Sequence, residues 1–271
     1  MNRRAKTLVT TILTAAIVTA IVIGGALVST DSLTTNLAWR NTPPSIDHLF
    51  GTDWLGRDML ARTVKGLSLS IGVGLTATVG SVMVSLLLGL AAATMGKTVD
   101  RMISWLIDLF LSLPHLVSLI LLSFAFGGGL KGVVAGIALT HWPSLARLIR
   151  AEVLQLRSAE YIQISRRLGK SRWWIATRHM LPHLTPQILV GALLMFPHAV
   201  LHEAAITFLG LGLSPHQPAI GIILSESMRY LSTGMWWLAF FPGLCLLLIV
   251  RAFDHIGENL RMLVDPHQAH H

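Results

Sequence analysis

From Leu67 to Met95 the chain runs without a single charged residue, and from Tyr230 to Val250 it does so again. Each stretch is long enough to cross a bilayer as a helix, which takes roughly 20 apolar residues. Lipid offers no partner to a free backbone N–H or C=O, so segments of this kind have to be helical. The composition agrees: 53% hydrophobic residues, 13% charged residues and a mean hydropathy of +0.64 give more apolar surface than one soluble core of 271 residues can hide. The chain is therefore expected to be an all-α integral membrane protein.

Apolar windows place six transmembrane helices near 8–28, 67–95, 102–126, 132–150, 187–208 and 231–251. Lys131 and Arg147 bracket the fourth so closely that Arg147 and Arg150 are expected at headgroup level, on a helix that continues out of the bilayer. With the N-terminus in the cytoplasm, 15 of the 21 Lys and Arg fall on cytoplasmic segments. Arg40, Arg57, Arg62, Lys65, Lys131 and Arg229 fall outside. That asymmetry follows the positive-inside rule and puts both termini in the cytoplasm. It also accounts for a net charge of +8 without nucleic acid, because the basic residues lie in the gaps between spans.

The first span follows Arg3, Arg4 and Lys6 and has no A-x-A site at its end, so it reads as an anchor rather than a cleaved signal. Residues 1–66 then comprise a cytoplasmic stub, the first span and an outer segment rich in Thr, Pro and Asp. Residues 67–255 form a five-helix core with a cytoplasmic loop at 151–186, and 256–271 a cytoplasmic tail. Cys245 stands alone, so no intrachain disulfide is possible and it reads as a packing residue.

The 151–186 loop is basic but punctuated. Ser158 is placed to cap a helix through Glu160, Tyr161 and Leu168, which Gly169 ends; Ser171 is placed to cap a second, closing before Pro182. Two short helices joined at a glycine make a knob; a solvated basic loop that only fixes topology is the other reading.

Glu160-Tyr161, Gly169, Leu181-Pro182 and Pro186 resemble the cytoplasmic coupling loop of permease subunits of ABC importers, with Gln163, Ile164 and Ser165 where that family carries its eponymous residues. Phe50-Gly51-Thr52-Asp53-Trp54-Leu55-Gly56-Arg57-Asp58 resembles the GTD-x-x-GRD signature of the peptide and nickel branch. Phe208-Leu209-Gly210-Leu211-Gly212 resembles its FLGLG element, followed here by Pro218, Ile220 and Gly221. The resemblance implies the type I importer permease fold in the inner membrane, a loop (Glu160, Tyr161, Gln163, Ser165, Gly169, Leu181, Pro182) that docks on an ATPase, and transport by alternating access. It further implies a second, homologous permease subunit, two ATPase subunits that hold ATP and Mg, and an extracytoplasmic substrate-binding protein. No cofactor is expected on this chain. Asp53, Gly56, Arg57 and Asp58 are read as structural, with an Asp53–Arg57 pair on a short interfacial helix.

Catalysis by the chain itself is not expected. Gly96-Lys97-Thr98 and Gly169-Lys170-Ser171 mimic the end of a phosphate loop, but Ala91 and Ile164 stand where its first glycine belongs. No Gly-x-Ser-x-Gly elbow occurs.

Ionisable groups within spans point to a pathway or a packing partner: Asp108, His115, His141, His198, His202 and Glu203. His198 and His202 lie about 40° apart round a helix, with Met195 about 60° to the other side, so the three share a face that could ligate a metal. Glu203 lies off that face, and hydrogen-bonding glue between helices is the alternative for the histidines. Asp108 is expected to pair with Arg147 or Arg150. His198-x-x-x-His202 before FLGLG, and His141-Trp142, resemble the nickel-type permeases, which implies nickel or a similar metal ion or chelate as cargo. A di- or oligopeptide is the alternative, and a gradient-driven transporter or channel a remoter one. His267, His270 and His271 in the tail are assigned no part in the route.

Overall fold

The computed structural model describes residues 3–29 and 33–264, so His267, His270 and His271 lie outside the described residues. Its helices are α1 (Arg3–Leu27), α2 (Met59–Thr94), α3 (Lys97–Ser112), α4 (His115–Ala125), α5 (Gly129–Ser158), α6 (Glu160–Arg167), α7 (Arg172–Ile175), α8 (Leu181–Phe208), α9 (Ile220–Met228) and α10 (Trp237–Val264). Among the described residues the only β-type pairing is one isolated bridge between Thr52 and Asp58.

Five helical runs are long and apolar enough to cross a membrane: Val9–Leu27, α2, α5, Trp173–Phe208 and α10. The third expected span, 102–126, is not one helix. It is the pair α3 and α4, bent by 107° between Ser112 and His115. Pro114 explains the break: it has no N–H to donate and it disfavours helical backbone at Leu113, which is extended at φ −82°, ψ 145°.

Other ends also move. The second span starts at Met59, not 67, because Asp58 Oδ1 accepts the Ala61 N–H at 2.9 Å and caps it. The fourth runs on to Ser158, carrying Arg147 and Arg150 out of its apolar part as expected. The last begins at Trp237, after a 3₁₀ turn at Leu231–Thr233 that Gly234 ends at φ +86°, and extends past 255 to Val264.

The bundle is assembled by small residues. Where α2 lies along α5, Ser81 Oγ donates to the Ala138 carbonyl at 3.0 Å and Ser85 Oγ to that of Trp142 at 2.9 Å. On α4 against α5, a Cβ on Gly132 would fall 2.4 Å from the Ser123 carbonyl oxygen. α1 packs on α2, where Lys65 Nζ donates to the Gly25 carbonyl at 2.8 Å. The first turns of α1 meet the end of α10, Asn259 Nδ2 donating to Thr11 Oγ1 at 3.4 Å, which puts the starts and ends of the helical bundle on one side. At the junction of α3 and α5, Arg147 Nη2 meets Asp108 Oδ1 at 2.7 Å, as expected for Asp108, and Arg150 Nη2 meets Asp100 Oδ2 at 2.8 Å.

Replacing Gly132 by Leu is expected to lift α4 from α5 and cost about 1–3 kcal/mol, a typical overpacking penalty. The readout is the thermal melt of purified protein in detergent. Gly72→Leu, where an added Cβ meets nothing within 4 Å, should leave the melt unchanged.

Candidate functional site

Three places along the bundle hold the residues singled out by sequence. On the outer side, Asp53 is fully buried. Its Oδ1 accepts the N–H groups of Leu55 at 2.8 Å and Arg57 at 2.9 Å, and its Oδ2 accepts Arg57 Nε at 2.7 Å and Arg62 Nη1 at 2.6 Å. Arg62 Nη2 reaches Glu226 Oε2 at 2.7 Å, so the outer segment, α2 and α9 are clasped together. The Asp53–Arg57 pair forms, but on a turn rather than the expected short helix. Gly56 sits there at φ +73°, and a Cβ on it would lie 1.8 Å from the Asn36 carbonyl oxygen. Asp58, besides capping α2, meets His48 Nδ1 at 2.9 Å. Arg62 and Glu226 escaped sequence reading because their partners are 9 and 164 residues away.

On the opposite side α6 and α7 form the expected knob. Ile162, fully buried, joins Val153, Leu156, Ile175, Met180 and Leu184 in one core. His179 locks the two helices, its ring 5.6 Å from Tyr161 and 5.2 Å from Trp174. Gly169 ends α6 at φ +75°, and Ser171 Oγ accepts the Trp174 N–H at 3.1 Å, as the sequence indicated. Ser158 does not cap α6: it is the last residue of α5, its hydroxyl donating to Gln155 O, and Ala159 takes the cap position. Nor does the second helix close before Pro182. It passes through a π-helical turn, Ala176–Met180, straight into α8, because Pro182 has no N–H for the ordinary ladder and the turn is widened to accommodate it. Gln163 Nε2 donates to Ser158 O at 3.0 Å and Ser165 Oγ to Tyr161 O at 2.9 Å, while Glu160 and Pro182 are exposed and Leu181 half-buried. Tyr161, Ile164, Leu168 and Trp173 stand exposed on the knob, Leu168 at 72% and Trp173 at 78%.

Between these lies a cavity of about 470 Å³, lined by His115, His141, Met195, His198 and His202 among others. Met195, His198 and His202 line the same cavity, but the imidazole nitrogens that lie closest together are not those of His198 and His202 alone. His198 is exposed and contributes its carbonyl, which His202 Nδ1 approaches at 2.8 Å. The histidines that come together are His115, His141 and His202, from α4, α5 and α8. Glu203 lies elsewhere, as expected: fully buried, it accepts the Thr207 hydroxyl at 3.0 Å, and Thr207 Oγ1 in turn holds the Leu213 N–H at 3.3 Å. That chain pins the turn after α8, where Gly210 has φ +79°.

The structure thus combines one broken span, a knob with exposed apolar side chains at one end and a mostly apolar cavity edged by histidines. Its fold matches a chain of the inward facing MetNI methionine ABC transporter, at 18% identity and a TM-score of 0.62, covering 76% of this chain and 98% of that one. Residues 85–262 match the family model of the binding-protein-dependent transport system inner membrane component, and the chain belongs to that family. Among its curated relatives, the dipeptide transport system permease protein DppC of Bacillus subtilis is 33% identical over 231 residues, 85% of this chain and 72% of the relative. DppC of Alkalihalophilus pseudofirmus is 36% identical over 240 residues, 89% and 79%. The chain is thus a multi-pass inner-membrane permease subunit of an ABC importer that works with an ATPase and a substrate-binding protein, with ATP hydrolysed by the ATPase. The nickel expectation finds no support among these relatives.

Asp53→Ala is expected to cost about 3–5 kcal/mol, because it removes the buried carboxylate that holds Arg57 and one arm of the buried Arg62, which keeps only Glu226. Arg57→Ala should cost less, about 1.5–3 kcal/mol, because Asp53 keeps its bond to Arg62. Denaturation of the purified protein distinguishes the two.

Proposed function

We propose that this chain is one permease half of a di- or oligopeptide importer. The observation that carries the substrate class is its 33–36% identity, over 85–89% of its length, to permeases named for dipeptide transport. A second permease completes the pathway, and two ATPases dock on the knobs.

The knob residues take defined parts in this reading. Tyr161, Ile164, Leu168 and Trp173 are large apolar side chains uncovered on a water-facing element, which fits a partner surface. Gly169 supplies the left-handed turn that holds α6 and α7 at their angle. Ile162 anchors α6 to the cytoplasmic ends of α5 and α8, so a push on the knob reaches both helices. ATP-driven closure of the ATPases then rocks the bundle between outward and inward openings.

Vesicles carrying the assembled complex and the binding protein are expected to accumulate radiolabelled dipeptide with ATP inside, and not nickel chloride. Nickel uptake without dipeptide uptake would reverse the assignment. Gly169→Val is expected to lower ATP-dependent uptake at least tenfold. A Cβ there meets nothing within 4 Å, but at φ +75° valine is strained, so stability in the melt is expected to fall by about 1–3 kcal/mol while the transmembrane helices stay assembled.

A further inference from the structure

The chain brings together three imidazoles that peptide transport does not call for. We propose that His115, His141 and His202 form a binding site for a divalent transition-metal ion on the wall of the central cavity.

Their placement follows from three separate local causes. His115 is the first residue of α4, presented by the break at Pro114. His141 sits near the middle of α5, held beside α4 by the glycine contacts described above. His202 projects from α8. The ring centroids are 4.5 to 5.0 Å apart, and one nitrogen from each ring lies within 4.8 Å of the others. His141 Nε2 and His202 Nδ1 are 3.2 Å apart. Two nitrogens bound at 2.0–2.1 Å to a tetrahedral ion are separated by about 3.3 to 3.4 Å, so little movement is needed to admit one.

The surroundings prepare the rings as ligands. His141 Nδ1 lies 3.0 Å from the Ile137 carbonyl, which fixes the proton on Nδ1 and leaves the Nε2 lone pair free. His115 Nε2 is buried and has no hydrogen-bond partner, an orphan that a metal bond would satisfy. His202 Nδ1 also lies 2.8 Å from the His198 carbonyl, so it ligates through Nδ1 only when its proton moves to Nε2 and the bond to that carbonyl is given up.

Three neutral imidazoles select zinc, copper, nickel or cobalt over calcium or magnesium. They leave at least one coordination position facing the cavity, with Met195 on the same wall. The triad contains no carboxylate, so the ion arrives with its own anionic ligands. Amino-acid or short-peptide carboxylates and amines are the matching chemistry. The site therefore extends the peptide reading to metal–peptide chelates, but its existence does not rest on that reading.

The test uses the full chain in lipid nanodiscs, purified without a histidine tag, with His267, His270 and His271 changed to Ala in every protein. Cobalt(II) chloride is titrated and followed by its visible ligand-field bands, then displaced with zinc. The expected result is one cobalt per chain with the intense bands of a four- or five-coordinate nitrogen site. His115→Ala, His141→Ala and His202→Ala should each weaken binding at least tenfold, while His198→Ala leaves the spectrum unchanged. Gln replacements, with thermal melts, check that lost binding is not lost folding. No saturable cobalt, or triad variants that bind like the parent, overturns the proposal. Loss with His198→Ala alone overturns it too and returns the site to the single face of α8. Dipeptide uptake by the parent complex is measured separately, so failure of the metal site and failure of the peptide reading are told apart.

Discussion

The seam between α2 and α5 sets the frame on which the other helices hang. In lipid the hydrophobic effect gives no reason for one apolar helix to prefer another, so close backbone approach and hydrogen bonds from small side chains must do the work. Ser81 and Ser85 supply those bonds, and Gly89 faces Ile149 with no room for a Cβ, which would lie 2.8 Å from its Cγ2. One end of α2 is tied into the outer clasp through Arg62 and Asp58, and near the other the Ala93 carbonyl accepts Arg157 of α5. The two helices therefore connect the outer surface to the knob.

Much of this was legible in the sequence because the membrane imposes its period and length directly. Uncharged runs located the spans, and charge between them gave a consistent sidedness. Around Gly169, capping chemistry left a knob and a solvated loop both open; Gly169 and Ser171 act as read, whereas Ser158 does not cap α6. What failed was local punctuation near proline. The span expected at 102–126 is two helices at 107°, separated at Pro114, and the knob helix expected to close before Pro182 continues past it through a π turn. Proline states that the ordinary ladder is broken, and the tertiary environment decides whether the chain turns, widens or ends.

The histidines illustrate a second limit. Spacing on one helix put His198 and His202 on a face, and that geometry is right for an isolated helix. The partners of His202 come instead from α4 and α5, 87 and 61 residues earlier in the chain. His115 was visible as an ionisable group within a span, yet nothing local could say that the break before it would turn it towards His141. Glu203 was correctly separated from that face, and its bond to Thr207 explains the separation: it serves the turn after α8.

Because α7 and the π turn run without interruption into α8, the knob is not suspended on loops. One long helix delivers the chain to it and another leaves it. With 30 residues at about 1.5 Å each, α5 is a rod of roughly 45 Å, and α8 is nearly as long. A displacement at the knob is thus passed along two continuous helices, each interrupted by proline, Pro143 in α5 and Pro186 and Pro197 in α8, that carry His141 and His202. In the proposed transport cycle, movement of the knob would reach the cavity between them through the helices themselves rather than through loops.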